Sequence, residues 1–381
     1  MEIYLDNAAT SHPKPSAVLS AVQKALTDLN GNPGRSGHQR ALAGAKLLLN
    51  AREMLARLLN APQPECIVFC FNCTDALNMA IKGSLHAGDH VIASGLEHNS
   101  VLRVLETLRR RGLITFTLID PEPDGMIDPD KFARAIGIRT SLCILTHASN
   151  VTGAIQPVAS VGQIMRRHGV RYLVDGAQAI GHIPVNVQAI ACDIYAFPGH
   201  KGLMAPQGTG GLYIAPGLPL TPFREGGTGS SSDSIAQPEE RPECFESGTM
   251  NLPGISGLLA GAELIAKNLS EHLEYERQLT YALWEGLKTC PGITLYTPQE
   301  TAGRVGVVSF NIGMQFTSSD VADRQSALNI AVRGGLHCAP EAHRFLGTMN
   351  RGAVRASLNW QNTLEEIDSF LEAIYRLSRS Q

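Results

Sequence analysis

Short runs of apolar residues alternate along the chain with longer segments in which apolar residues recur every three or four positions. The runs at residues 172–174 and 194–197 each stop abruptly in a segment of polar residues and glycine, as buried parallel strands do at their carboxyl ends. Helical spacing is clear at residues 39–60, 101–111 and 158–168. Strands separated by helices of this length predict a mostly parallel sheet with helices on both faces.

The same α/β pattern extends to both ends of the chain. A short strand within residues 4–10 precedes a helix that begins near Ser16, and a long helix begins near Gly254. Further strands are predicted at residues 65–71, 90–94, 113–119, 142–146, 211–214, 301–312 (as a strand pair) and 351–357, and further helices at residues 73–85 and 319–328. Thr363 and Glu366 have the spacing of a capping box for the last helix.

Composition restricts the partners of the protein. The 381 residues carry a net charge of −3, and no basic run exceeds Arg109-Arg-Arg111, so we expect neither nucleic acid nor a membrane as a main partner. The N-terminus lacks the basic start and apolar core of a signal peptide, and no apolar run is long enough to span a bilayer, which predicts a cytoplasmic protein. Eight cysteines are too dilute for a disulfide scaffold and are expected to be reduced and mostly buried.

Two polar residues follow the two apolar runs named first: Asp175 follows one, and Lys201 follows the other. Because ligands of open α/β sheets bind outside the carboxyl ends of the strands, we expect both side chains at one site. A lysine amine forms a Schiff base with pyridoxal phosphate, and an aspartate beside the pyridine nitrogen keeps that nitrogen protonated. The alternative is that Asp175 caps the following helix and that Lys201 is a solvated loop residue.

Three further features suggest contacts with a ligand or with another subunit. Thr74 begins a predicted helix, whose N-terminal N–H groups suit a phosphate, although Thr74 is equally well explained as a plain N-cap. The glycine- and proline-rich segment at residues 31–37 is typical of a loop that closes over a site. The irregular segment at residues 215–242 is long enough to predict a functional loop or a subunit contact.

Cys338 is the candidate nucleophile. It follows Arg333-Gly-Gly-Leu-His337 and precedes Ala339-Pro340, so it lies on a predicted loop and not in an apolar run. A nearby cation lowers the pKa of a thiol and favours the nucleophilic thiolate.

These motifs in combination resemble a known family. Asp175-Gly-Ala-Gln178 with Gly199-His-Lys-Gly202 resembles the fold-type I pyridoxal phosphate enzymes of the class V aminotransferase group. The Cys338 segment, with Arg355 in Val354-Arg-Ala-Ser357, is similar to the second group of NifS-like cysteine desulfurases, which includes the SufS type and selenocysteine lyases. The resemblance spans residues 4–367. It implies an α/β fold with a mostly parallel seven-stranded sheet in a large domain (residues 15–255) and a smaller α+β domain (residues 1–14 and 256–381).

The resemblance also implies roles for individual residues. Pyridoxal 5′-phosphate would be held by Lys201 as a Schiff base, with Asp175 at the pyridine nitrogen and Gln178 at the phenolic oxygen. The remaining cofactor contacts would come from His98 on the ring, from Thr74 and His200 at the phosphate with Thr249 of the partner subunit in a homodimer, and from Cys73. His98 would also act in catalysis; the alternative for His98 is a satisfied core histidine.

The substrate residues implied are Arg355 and Asn150, which would bind the carboxylate of the amino acid, and Cys338, which would take its sulfur. The alternatives are a surface ion pair for Arg355 and a turn role for Asn150. Lys201 would remove the Cα proton while the cofactor takes up the charge, and the Cys338 thiolate would attack the substrate sulfur, giving alanine and a Cys338 persulfide. No metal is part of this site, and a sulfur- or selenium-acceptor protein is a further expected partner.

The sequence departs from the SufS pattern in three places. Pro198 replaces a serine, Asn72-Cys73 replaces Gly-Thr, and Leu336 replaces the first of two histidines before the cysteine. Because proline has neither a hydroxyl nor an N–H, one phosphate contact is in doubt at Pro198. Substrate preference and sulfur acceptor therefore cannot be copied from the SufS type.

Four other functions remain open at this stage. Selenocysteine lyase activity fits the same scaffold. A class V aminotransferase or epimerase would make Cys338 incidental, and a non-catalytic pyridoxal-binding sulfur carrier would keep Lys201 but show no turnover.

The fourth alternative is an iron–sulfur protein, because the spacing Cys66-x-x-x-Cys70-x-x-Cys73 is that of a radical iron–sulfur site. Against it, Cys66 and Cys70 lie in a predicted strand on which they would point to one face, whereas cluster ligands need a loop.

Overall fold

The computed structural model describes residues 2–29, 31–33, 37–229, 233–299 and 303–379. The helices and strands of these residues are, in chain order, β1 (Ile3–Tyr4), α1 (Ser16–Thr27), α2 (Gln39–Leu59), β2 (Ile67–Cys70), α3 (Cys73–Ser84), β3 (Asp89–Ser94), α4 (Asn99–Arg110), β4 (Ile114–Ile119), α5 (Pro129–Ala135), β5 (Thr140–Thr146), α6 (Val158–His168), β6 (Arg171–Asp175), α7 (Val187–Ile190), β7 (Ile194–Pro198), β8 (Gly210–Ile214), α8 (Leu252–Thr289), β9 (Ile293–Leu295), β10 (Val307–Ile312), α9 (Ser318–Ser326), β11 (Ile330–Ala331), α10 (Pro340–Phe345), β12 (Val354–Ser357) and α11 (Leu364–Arg379).

A seven-stranded sheet with the order β2-β8-β7-β6-β5-β3-β4 carries the site. All neighbouring pairs are parallel except those of β8, which runs antiparallel to both β2 and β7. The prediction of a mostly parallel sheet is therefore confirmed. The connection from β7 to β8 contains no helix, and without a crossover element the next strand returns in the opposite direction.

Two layers of apolar side chains cover the two faces of this sheet. Along β2 the side chains alternate, so that Ile67 and Phe69 join one layer and Val68 and Cys70 join the other. The first layer packs against α2, α6 and the first turns of α8, and the second packs against α3 and α4. Because both faces are covered, the polar ends of the strands form the place where a ligand can enter.

The cysteine pattern at the start of β2 does not form a shared metal site. Cys66 lies in a 3₁₀ turn before the strand and packs in the layer of Ile67, whereas Cys70 packs on the opposite face of the sheet. The expectation that Cys66 and Cys70 point to one face is therefore wrong, because the strand begins one residue after Cys66. Thiols on opposite faces of a sheet cannot bind one iron–sulfur cluster, which contradicts the iron–sulfur alternative.

The C-terminal part of the chain builds a second core around the three-stranded antiparallel sheet β12-β10-β9. Leu279, Leu283 and Leu287 of α8 pack there together with β10, β12 and α11. Leu5, beside β1, joins the same cluster. The proposed division into residues 15–255 and the remainder stays a prediction.

Several predicted bounds are corrected by this core. Residues 301–312 do not hold a strand pair: residues 301 and 302 lie outside the described part, and β10 pairs instead with β9 and β12. The predicted strand at residues 351–357 begins only at Val354. The capping box of the last helix is confirmed, because the Thr363 N–H donates to Glu366 Oε2 at 3.1 Å and the Glu366 N–H donates to Thr363 Oγ1 at 3.2 Å.

The structure describes only part of each of the two loops predicted from the sequence. Residues 34–36 of the 31–37 loop and residues 230–232 of the long segment 215–242 lie outside the described part of the chain. The described residues of that long segment form no helix or strand, in agreement with its glycine and proline content. No helix within the described ranges is long and apolar enough to cross a membrane.

Candidate active site

A cavity of about 220 Å³ lies at the carboxyl ends of β5, β6 and β7. The strand ends Thr146, Asp175 and Pro198 line it, and so do the following residues that the sequence singles out: Cys73, Thr74, His98, Asn150, Gln178, His200, Lys201 and Arg355. Two other candidates lie elsewhere. Cys338 lines an adjoining groove that shares His98 and Thr74 with the cavity, and Thr249 lines a separate cleft beside Phe71 and Arg224.

Asp175 ends β6 and is only 2% exposed. Its Oδ1 accepts hydrogen bonds from the Ala177 N–H at 2.9 Å and from the Cys73 thiol at 3.6 Å. Burial raises the pKa of Asp175, whereas these donors and the Lys201 ammonium lower it. No helix follows directly, since the next one is α7 at Val187–Ile190, so Asp175 closes a tight turn and does not cap a helix.

Lys201 follows β7 on a turn that packs tightly against the segment after β6. A Cβ at Gly202 would lie 2.2 Å from the Ile180 carbonyl oxygen, so only glycine permits this approach. Burial lowers the pKa of Lys201, an effect opposed by Cys73 and Asp175. The side chain lines the cavity, which contradicts the alternative of a solvated loop lysine.

Thr74 is not the N-cap of α3. Asn72 has that role, because its side-chain oxygen accepts from the Asp75 N–H at 2.9 Å. The Thr74 hydroxyl instead lies 2.7 Å from the Ser100 hydroxyl. The first turn of α3 therefore presents Cys73, Thr74 and free N–H groups to the cavity, which is a favourable arrangement for an anion.

His98 caps α4 as well as lining the cavity. Its Nδ1 accepts from the Ser100 N–H at 3.0 Å, so a neutral His98 carries its proton on Nε2. Burial lowers the pKa of His98 to about 4, and the neighbouring cations Lys201 and Arg333 act in the same direction. The ring is therefore neutral at physiological pH.

Arg355 is one of the residues that line the cavity, although it is only 1% exposed. Nη2 donates to Asp6 Oδ1 at 2.8 Å and Nη1 donates to the Asn150 carbonyl oxygen at 3.1 Å. Nε has no partner among the described residues. The ion pair exists but is not at the surface, and the free Nε leaves a donor for a carboxylate.

Asn150 lies in a turn, and its side chain is already engaged. Nδ2 donates to the His337 carbonyl oxygen at 2.7 Å, which ties the turn to the segment that carries Cys338. Gln178 Nε2 likewise donates to the Ala8 carbonyl oxygen at 3.0 Å. His200 lines the cavity with a buried Nδ1 that has no partner in the described part of the chain.

Cys338 is half-buried on a left-handed turn. His337 and Cys338 have φ angles of +48° and +56°, so two consecutive residues other than glycine adopt a conformation that L-residues disfavour. The Asn99 N–H donates to the Cys338 carbonyl oxygen at 2.7 Å, and Arg333 Nη2 lies 3.8 Å from Cys338 Sγ. Leu336, which replaces a histidine of the SufS pattern, does not line the cavity.

Three further residues of the candidate site were not among the candidates named from the sequence. Asp6 pairs with Arg355 over 349 positions of sequence, Arg333 lines the cavity beside Cys338, and Ser100 links His98 to Thr74. Only Arg333 had a signal, its closeness in sequence to Cys338. Nothing in the local pattern marks Asp6 or Ser100.

The cavity can hold pyridoxal phosphate. A buried carboxylate, an amine and a helix N-terminus line one space, as the pyridine nitrogen, the aldehyde and the phosphate of that molecule require. His200 Nδ1 is buried without a hydrogen-bond partner among the described residues, so it can bind a polar atom of a ligand. The cations Lys201, Arg333 and Arg355 outnumber the single carboxylate of the lining, Asp175, which favours an anionic ligand.

Comparison with known proteins gives consistent results over nearly the whole chain. The family model of aminotransferase class V matches residues 3–370. A protein of Methanothermobacter thermautotrophicus named as a probable cysteine desulfurase is 34% identical over 385 residues, which cover 99% of this chain and 94% of the relative. A cysteine desulfurase of Escherichia coli is 33% identical over 386 residues, which cover 99% and 93%.

Solved structures agree with these relatives. The apo structure of a cysteine desulfurase from Thermococcus onnurineus superposes with a TM-score of 0.93 at 32% identity, covering 100% of this chain and 95% of that one. A cysteine desulfurase of Escherichia coli, solved in an S-sulfonic acid form, gives a TM-score of 0.89 at 30% identity with the same coverage.

Proposed function

We propose that this chain, which belongs to the aminotransferase class-V family, is a pyridoxal-phosphate-dependent cysteine desulfurase that forms alanine and leaves the sulfur of L-cysteine on Cys338. One observation carries the proposal: a half-buried thiol with a guanidinium at 3.8 Å lies in a groove that adjoins the lysine- and aspartate-lined cavity. Relatives named as cysteine desulfurases match the chain at 33–34% identity, which supports this activity over other reactions of the fold.

The cofactor would be held by residues on three sides of the cavity. Asp175 would pair with the pyridine nitrogen and Lys201 would bond the aldehyde carbon, while Gln178 would face the phenolic oxygen. The phosphate would be bound by Thr74 and His200 with the N–H groups of α3, and Cys73 would stay hydrogen bonded to Asp175. Pro198 lines the same end and offers no donor, so the α3 N-terminus carries more of this binding.

The cofactor, when bound, supplies an electron sink that makes the Cα–H bond of the amino acid acidic. Once the amino group of the substrate has replaced Lys201 on the cofactor, Lys201 Nζ would be the base that accepts this proton, because burial lowers its pKa and leaves more of the amine neutral. Neutral His98 covers the cavity with a proton on Nε2.

Cys338 completes the reaction by direct attack. Its Sγ bonds to the sulfur of the substrate while the Cβ–S bond of the substrate breaks, and the departing carbon receives a proton to give alanine. A cysteine and one thiol thereby become alanine and one persulfide, with no external oxidant. Arg333 Nη2 lies 3.8 Å from this attacking sulfur atom.

Arg355 would bind the substrate carboxylate through Nε and a neighbouring N–H. Asp6 Oδ1 accepts from Arg355 Nη2 at 2.8 Å and so fixes the plane of the guanidinium. The N–H donors of Arg355 are therefore oriented before the substrate binds. Asn150 contributes through its carbonyl contact to Arg355 and through its side-chain bond to the His337 carbonyl oxygen.

The protein would act as a homodimer and pass its persulfide sulfur to an acceptor protein. Thr249 is exposed and outside the cavity of its own chain, which supports a role at the phosphate site of a partner subunit. The groove that Cys338 lines gives an acceptor thiol a route to the persulfide.

The test is product analysis with purified protein that has been loaded with pyridoxal phosphate. L-cysteine should yield alanine with the native chain, and neither Lys201→Ala nor Cys338→Ala should yield it in repeated turnover. Alanine from selenocysteine alone would replace the proposal by a selenocysteine lyase. Equal alanine from native protein and Cys338→Ala would show that Cys338 does not take the sulfur.

A further inference from the structure

The turn that carries Cys338 is held in an unfavourable conformation, so something must stabilise it. His337 and Cys338 both lie in the left-handed region, and neither is glycine. Such backbone persists only where surrounding contacts determine it. The contact from Asn99 holds the carbonyl of Cys338, and the contact from Asn150 holds the carbonyl of His337, but neither fixes the His337 side chain.

A chain of hydrogen bonds below the turn fixes that side chain. His337 Nε2 lies 3.2 Å from the Arg333 carbonyl oxygen, and His337 Nδ1 lies 3.1 Å from His343 Nε2. On the far side of the second ring, His343 Nδ1 lies 2.7 Å from the Thr348 hydroxyl oxygen. Both histidines are buried, His337 at 2% exposure and His343 at 0%.

The position of every proton in this chain follows from its ends. A carbonyl oxygen only accepts, so His337 Nε2 carries a proton and a neutral His337 has a bare Nδ1. His343 Nε2 must then carry a proton and donate to it, which leaves His343 Nδ1 to accept from the Thr348 hydroxyl. The hydroxyl is also 3.4 Å from the His343 carbonyl oxygen, a longer and weaker alternative.

Both rings are neutral, as this assignment requires. Burial lowers the pKa of His337 to about 2, with the cation of Arg355 acting in the same direction, and burial lowers the pKa of His343 to about 4. The side chains of Arg333, Arg355 and His343 all act against a charged imidazole at His337.

We propose that His343 is a positioning residue for the sulfur-transfer step: with Thr348 behind it, it donates to His337 and so holds the Cys338 turn in its reactive conformation. The inference rests on the proposed function of Cys338, but neither His343 nor Thr348 lines the cavity. His343 lies on α10, five residues beyond Cys338, and α10 begins directly after the turn. The chain therefore couples the helix to the turn through side chains as well as through the backbone.

Two substitutions separate the two hydrogen bonds of His343. Glutamine places its amide nitrogen near the position of Nε2, so His343→Gln keeps the donor to His337. Asparagine places its amide near Nδ1, so His343→Asn keeps the contact to Thr348 and loses the donor. Arg344→Ala is the matched control, because Arg344 lies on the same helix with an exposed side chain that pairs with Glu341.

The first readout does not depend on turnover. Amide hydrogen exchange of the peptide that contains residues 336–339, in cofactor-loaded protein without substrate, should accelerate at least about tenfold in His343→Asn. It should stay within about twofold of native in His343→Gln and Arg344→Ala. Unchanged exchange in His343→Asn would overturn the proposal, whether or not the protein desulfurates cysteine.

The second readout is the single-turnover rate of persulfide formation at Cys338. It should fall at least about tenfold in His343→Asn and recover in His343→Gln, with the binding constant for cysteine unchanged in both. An equal loss in both variants would assign His343 to packing alone and overturn the proposal. A native protein that forms no persulfide at all would refute the proposed function, and the exchange result would still decide the positioning role.

Discussion

Replacing Arg355 by lysine tests the assignment of the substrate carboxylate. The guanidinium already donates to Asp6 and to the Asn150 carbonyl oxygen, and its Nε is the donor left without a partner in the described structure. A lysine ammonium at this position keeps the charge and the pair with Asp6. It lacks the second, parallel N–H that a carboxylate needs for bidentate binding.

The size of the effect follows from the one bond that is lost. A hydrogen bond to a charged group contributes about 1.5–3 kcal/mol, which corresponds to about 10- to 150-fold in an equilibrium constant. Because the carboxylate is bound equally in the ground state and in the transition state, the loss should raise KM and leave kcat nearly unchanged. We therefore expect kcat/KM for L-cysteine to fall by about one to two orders of magnitude.

The assay is the initial rate of alanine formation over a range of cysteine concentrations, with thermal unfolding as the check on folding. Arg351→Lys is the matched control: Arg351 lies in the same segment and donates to the Phe316 and Gly313 carbonyl oxygens, but it does not line the cavity. A KM for Arg355→Lys within about twofold of native would refute the assignment. If Arg333→Lys raised KM in its place, the carboxylate site would move to Arg333.

Three further predictions follow from buried polar contacts. Cys73→Ala removes a hydrogen-bond donor from Asp175 Oδ1, so the pKa of Asp175 should rise and the protein should lose pyridoxal phosphate at a higher pH during acid titration. Cys73→Ser keeps a donor and should retain the cofactor as the native protein does. Visible absorbance after gel filtration measures the bound cofactor, and identical titrations of Cys73→Ala and native protein would contradict the prediction. Burial lowers the pKa of His343 from 6.5 to about 4, so the unfolded chain binds this proton at a higher pH than the folded chain does, and the free energy of unfolding decreases as the pH falls from about 6.5 towards 4. In urea unfolding, His343→Gln should lose less stability than the native protein over this pH range. An equal loss in the two proteins would contradict the prediction. Glu246→Gln breaks the buried ion pair with Arg52 and should lower the free energy of unfolding by about 3 kcal/mol. Urea unfolding measures this change, and a midpoint close to that of the native protein would contradict the prediction.

The sequence located the chemistry better than it located the contacts. Asp175 and Lys201 were predicted at the ends of two strands, and α6 has the predicted bounds, because apolar runs and helical spacing are local signals. The pairing of Asp6 with Arg355 could not be read in this way, since the two residues are brought together only by the folded small sheet and by the N-terminal segment beside it.

Local sequence patterns also gave wrong or incomplete predictions where the same residue types occur in two kinds of local structure. The apolar residues of β8 predicted a strand, but its antiparallel direction depends on the absence of a helix after β7. Cys66 looked like part of β2 and belongs to a 3₁₀ turn, which changed the face it occupies. His343 gave no signal at all, because a single histidine on a short helix is informative only when its neighbours in space are known.

The most direct test of the account is the mass of the peptide that contains Cys338 after cofactor-loaded protein has received one equivalent of L-cysteine, without reductant. We predict that this peptide gains the mass of one sulfur atom for each alanine released, and that Lys201→Ala shows neither change. Alanine release without added sulfur on Cys338, or sulfur on a different cysteine such as Cys73, would contradict the central role of Cys338.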